Sequence, residues 1–160
     1  MNAWRNMAKV SNQYNALTGL IVGAYHLAAA TDNSWRQRQP YSVFDKTEAV
    51  TEKNSAVLLT SLDGAIREKN QARAAAIVRQ YGKEGHGSRP VFDLLLRFAT
   101  SEDGALHAEK YYRTVSEEFG RTRKAFRWEH VAALARVTAS ECGKRAEGYE
   151  LACDLLKVKA

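Results

Sequence analysis

Apolar residues recur every three or four positions along most of this chain, the spacing that lines one face of an α-helix. The first such series is Ala3, Met7, Val10, Tyr14, Leu17, Ile21, Ala24 and Ala28, and it predicts a long amphipathic helix over residues 1–30. Gly19 and Gly23 stand four apart within it, which leaves room for a second helix to approach. The pattern then breaks. Thr31, Asp32, Asn33 and Ser34 are a turn cluster and Pro40 interrupts the chain again, so residues 31–46 read as an irregular linker pinned by Trp35, Tyr41 and Phe44.

Helical spacing resumes over residues 47–160. A second helix is predicted at 47–69, with Val50, Ala56, Leu59, Leu62 and Ile66 inward; Gly64 inside it costs about 1 kcal/mol of helix preference. A third spans 71–81, with Asn70 as its N-cap and Gly82 as its stop. The glycine-rich stretch 82–87 is a loop. Ser88 then caps a fourth helix that has Pro90 in its first turn and Val91, Phe92, Leu94, Leu95 and Phe98 as apolar content. A fifth helix carries Ala108, Tyr111, Val115 and Phe119 on one face and stops at Gly120. A sixth, 122–142, turns Trp128, Val131, Ala135 and Thr138 inward, and a seventh, 146–157, lines up Leu151, Leu155 and Val158. No segment alternates with period two for long enough to make a strand. The expected fold is all-α: one domain over residues 1–160, a bundle of six or seven helices with a long N-terminal helix.

Composition narrows the class without naming a task. The chain has 160 residues, 45% hydrophobic and 26% charged, which suits a globular domain with one sizeable core. Ten Gly and two Pro exclude collagen-like sequence, and two Cys exclude a disulfide scaffold. Cys142 and Cys153 form no Cys-x-x-Cys or zinc-finger spacing; they read as small packing residues in a reducing, cytoplasmic setting. Residues 10–31 carry no charge, and Arg5 and Lys9 before them with Ala28, Ala29 and Ala30 near their end imitate a cleaved leader. The strongly apolar part, 16–30, is 15 residues long, short of the roughly 20 a bilayer requires. Asn12, Gln13, Asn15 and His26 would also be costly in lipid. The expectation is a packed helix and no membrane span.

The candidate chemistry is sparse. Four histidines, His26, His86, His107 and His130, fall in four different elements. A metal site would draw on His107, Glu109, His130 and His26, although the Glu-x-x-His spacing of di-iron bundles is absent. His107 lies in the first turn or two of its helix, where the dipole disfavours imidazolium and leaves a neutral ligand or base. Ser88 and Arg89 open a helix after a glycine-rich loop, a composition that can cradle an anion, but the spacing matches no phosphate-loop motif. Arg121, Arg123, Lys124 and Arg127, interleaved with Phe126 and Trp128, form a basic-aromatic cluster of the kind that meets nucleic acid. The net charge of +6 points the same way, and residues 121–160 hold nine basic against five acidic side chains. No nucleophile motif is present, and no cofactor is assigned.

Two stretches carry a resemblance. They are Gly85 through Leu96 followed by Ser101 through Tyr111, and Phe126-Arg127-Trp128 with the run Ala133 through Glu141. Together they resemble, over residues 65–156, the C-terminal helical part of large, poorly characterised bacterial proteins, some labelled Rieske-type iron–sulfur proteins. A Rieske centre needs Cys-x-His and Cys-x-x-His ligand groups, and this chain has neither. The resemblance implies a helical module of a larger redox system, with His107 and Glu109 as the residues of interest. The leading expectation for function is a helical module without independent catalysis that binds a protein partner or forms a homo-oligomer. The alternatives are a metal- or cofactor-dependent oxidoreductase module with a histidine-containing pocket, and a basic nucleic-acid-binding protein.

Overall fold

The computed structural model describes residues 2–29, 50–102 and 107–159. The predicted linker 31–46 and the first residues of the predicted second helix lie outside them. Every regular element among the described residues is helical. These described residues form eight α-helices: α1 (Asn2–Val10), α2 (Gln13–Ala29), α3 (Ser55–Arg67), α4 (Gln71–Lys83), α5 (Arg89–Ser101), α6 (His107–Arg121), α7 (Arg127–Glu141) and α8 (Tyr149–Leu156). A 3-10 turn, Lys124–Phe126, precedes α7, and the only β contact among them is an isolated bridge between Glu102 and Arg145. Residue contacts divide the chain into two compact units, Met1–Ser42 and Val43–Ala160.

In the first unit the long helix is two helices. Ser11 Oγ donates to the Met7 carbonyl (2.7 Å), and Asn12 Oδ1 accepts from the Asn15 amide (2.9 Å). This adjacent pair therefore ends one helix and starts the next, which is the ordinary use of Ser and Asn at helix boundaries. The chain folds back so that Trp4 of α1 lies on Gly19 and Gly23 of α2. A Cβ at Gly23 would stand 3.0 Å from Trp4 Cγ, and one at Gly19 3.7 Å from the same side chain. The two glycines thus admit a helix, as their spacing suggests; the visitor is the chain's own N-terminal segment.

In the second unit α4 packs most extensively on α7, and α3, α5 and α6 pack around that pair. The reason is side-chain size. Ala74 and Ala75 of α4, with Ala132, Ala135 and Ala139 of α7, are buried, and small residues let two helix axes come close. Leu58, Leu62, Ile66, Ile77, Val78, Val91, Leu95 and Val131 fill the surrounding space. One end of the core is aromatic: Phe92 meets Tyr112 and Phe119 edge-on, Phe119 meets Trp128, and Trp128 meets Tyr81. Burial raises the Tyr81 and Tyr112 phenols above their ordinary pKa.

Several boundaries differ from the sequence reading. Helix α3 begins at Ser55 because Asn54 Oδ1 accepts the Ala56 and Val57 amides (2.9 and 3.2 Å). Gly82 does not stop α4. It lies within the helix against Trp128, and the stop is Gly85 at φ +76°, where the Gly85 and His86 amides donate to Gly82 and Tyr81. On α6 the residue packed inward is Tyr112, while Tyr111 is exposed. On α8 Leu151 and Leu155 face outward, with Val158 exposed beyond it, and Cys153 is buried.

Candidate functional site

Among the described residues, α2 carries more exposed large apolar side chains than any other helix. Its 17 residues include no Asp, Glu, Lys or Arg, and only Gly23 is buried. Trp4 covers the side bearing Gly19 and Gly23. Tyr14, Leu17, Ile21 and Tyr25 lie on the opposite side at helical spacing and are 77%, 56%, 69% and 70% exposed. Ala24 and Ala28 continue the same line. The stripe read from the sequence is therefore real along α2, but it faces away from the hairpin's interior. Globular proteins seldom leave a contiguous apolar stripe of this kind uncovered. Among the described residues no helix is long and apolar enough to cross a membrane.

Three of the histidines, His26, His86 and His130, have structural partners. His26 stacks on Trp4, with ring centroids 5.9 Å apart. His86 Nε2 lies 2.7 Å from the Lys53 carbonyl, and its ring packs on Tyr81 at 4.8 Å; it ties the α4–α5 loop to the approach to α3. His130 Nε2 lies 3.3 Å from Thr122 Oγ1. His107 opens α6, as its sequence position implies, and its side chain is outside the described set. Glu109 is exposed at the edge of a small cleft it shares with Glu102 and Glu147. Among the described residues no three His, Cys, Asp or Glu side chains are grouped to hold a metal ion.

Ser88 and Arg89 stand at the start of α5. Arg89 Nε donates to Asp93 Oδ1 (2.7 Å), one turn along α5, and Ser88 occupies the N-cap with helical backbone and no side-chain capping bond. The basic-aromatic cluster is divided between tasks. Arg127 Nε donates to the Thr122 carbonyl (2.9 Å) and lies over Phe119, and Trp128 packs in the core. Arg121 pairs with Glu117, while Arg123 lies over Phe126, and Lys124 is exposed. Both cysteines are free and buried. Burial, then the nearby Glu102 carboxylate, pushes the Cys142 thiol up, which suits packing and not nucleophilic chemistry.

One grouping has no counterpart in the sequence reading. Arg67, Arg97, Arg145 and Lys159 line a single cleft of about 340 Å³ beside Glu102 and Tyr149. These residues are scattered over the chain and form no motif, so only their residue type hinted at a site. No family model matches the chain, and no curated protein or solved structure matches it either.

Proposed function

We propose that this chain is a helical interaction module that self-associates through the outward face of α2, and we assign it no reaction of its own. The observation behind this reading is the uncharged stripe Tyr14, Leu17, Ile21 and Tyr25, more than half exposed at every position. A second copy is the occupant that its chemistry favours. In a two-fold contact a patch meets its own copy, so a patch carrying one sign of charge is repelled by it. A helix with no Asp, Glu, Lys or Arg avoids that repulsion. Its length, about 25 Å at 1.5 Å per residue, allows two hairpins to align as four packed helices. A bilayer is the poorer occupant, because α2 has 17 residues where roughly 20 are needed to span. The buried thiols suit a reducing, cytoplasmic setting. The likeness of residues 65–156 to a helical part of larger bacterial proteins accords with a module that works within an assembly.

Sedimentation velocity across a range of concentrations tests this. The unmodified chain is expected to run as a dimer. Leu17→Glu with Ile21→Glu is expected to run as a monomer with unchanged helical circular dichroism. A monomeric unmodified chain overturns the proposal, as does a dimer indifferent to both substitutions; co-sedimentation with phosphatidylcholine vesicles by a monomer would assign the stripe to a lipid surface.

A further inference from the structure

The cationic cleft is assembled from separate parts of the second unit. Arg67 ends α3, Arg97 lies near the end of α5, Arg145 belongs to the connection between α7 and α8, and Lys159 lies beyond α8. Backbone pairing fixes that connection against the end of α5. The Ala146 amide donates to the Ser101 carbonyl (2.9 Å), and the Gly143 amide donates to Glu102 Oε2 (3.0 Å). The cleft's volume of about 340 Å³ lies within the range of small-molecule pockets.

Its charges do not cancel internally. Asp63 bridges two of the cations, accepting from Arg67 Nε at 2.7 Å and from Arg97 Nη2 at 3.1 Å, and so holds both guanidinium groups in place. Glu102 supplies the other carboxylate, with one oxygen already committed to Gly143. Among the described residues Arg145 and Lys159 join no ion pair. Four cations against two carboxylates leave a surplus of two positive charges. Two guanidinium groups also lie over aromatic rings, Arg145 at 5.4 Å from the Tyr149 centroid and Arg67 at 5.5 Å from that of Phe98. Stacking holds a guanidinium by its face and leaves its N–H edge for an oxyanion, which it can grip with two parallel hydrogen bonds. Like charges gathered around one cavity repel, and a bound anion relieves that repulsion.

We propose that this cleft binds a phosphate dianion, free or as the monoester of a small molecule, between the Arg97 and Arg145 guanidinium groups and the Lys159 ammonium. The surplus charge equals that of the ligand, and a monoester would set its organic part against Tyr149 and Phe98.

The test is a two-dimensional amide NMR titration of the full chain at constant ionic strength, with inorganic phosphate in one arm and phenyl phosphate in the other. Saturable shifts are expected at Ser101, Glu102 and residues 143–146. Arg145→Gln and Lys159→Gln, both at exposed positions, should each weaken binding about tenfold, the loss of one charge-assisted contact, while leaving the rest of the spectrum in place. Tighter binding of phenyl phosphate assigns a monoester; equal binding assigns free phosphate. Shifts that do not saturate with either probe, or affinities unchanged in both variants, overturn the proposal.

Discussion

Gly82 stands inside α4 with the Trp128 ring where a side chain would be. A Cβ there would lie 2.3 Å from both Cγ and Cδ2 of the indole. Those atoms are near the root of a side chain wedged between Tyr81 and Phe119, so they have little room to yield. Gly64, in α3, has nothing within 4 Å of the same position. The two glycines should respond to alanine with opposite signs. Gly64→Ala should stabilise by about 0.5–1 kcal/mol through helix preference alone. Gly82→Ala should destabilise, because overpacking of about 1–3 kcal/mol or more exceeds the same gain. Urea unfolding of both variants checks the pair, and a stabilised Gly82→Ala would show that Trp128 is loosely held. The difference was not legible in the sequence. A glycine between helices suggests a turn, yet what Gly82 contributes is an absent methyl group beneath a ring 46 positions later. Gly85, three residues on, carries the left-handed backbone of the turn.

The start of α4 was legible because the bond that makes it is local: Asn70 accepts the Arg73 amide (3.1 Å), three residues on. Asn54 caps α3 through an equally local bond to the Ala56 and Val57 amides. There the apolar series reaches back to Val50 and draws the predicted start to residue 47, ahead of the cap. Ser88 fails on the same local geometry. Its backbone is helical (φ −72°, ψ −25°), and the extended backbone that aims a cap oxygen at the next amides is missing. Asn54→Ala and Asn70→Ala should each cost about 1 kcal/mol, whereas Ser88→Ala should fall within about 0.5 kcal/mol of the unmodified chain. Thermal or urea denaturation of the three variants decides it; a cost at Ser88 equal to that at Asn70 would contradict the local geometry. The pairing of faces was less legible than the ends. On α8 the residues Leu151 and Leu155 share a side at helical spacing, but Cys153 is the one buried. An eight-residue helix offers too few repeats for the spacing to single out its inner side.

Burial also governs the chemistry of the two cysteines. Cys142 is 7% exposed and Cys153 is 6% exposed, and both belong to the unit Val43–Ala160. The thiolate is the reactive form, and burial holds Cys142 in its protonated state. Alkylation by iodoacetamide near neutral pH should therefore be slow in the native chain and become fast only as urea opens the unit, which mass spectrometry of timed samples would reveal. Fast labelling of native protein would mean that the end of α7 and the short α8 open independently of the core.

The all-α class, the core positions of α5 and the cap at Asn70 follow from the order of residues, because each depends on spacing or bonds within a few positions. Helical spacing states which side chains share a face. It does not state toward what that face turns. The line Tyr14, Leu17, Ile21 and Ala24 was visible as a stripe, yet its outward orientation depends on Ser11 and Asn12 ending α1 and on Trp4 occupying the glycine side of α2. The cleft lined by Arg67, Arg97, Arg145 and Lys159 joins residues up to 92 positions apart. Such a site exists only after packing has brought separate helix ends together, since neither its charges nor its shape leaves a trace in any short segment of the chain.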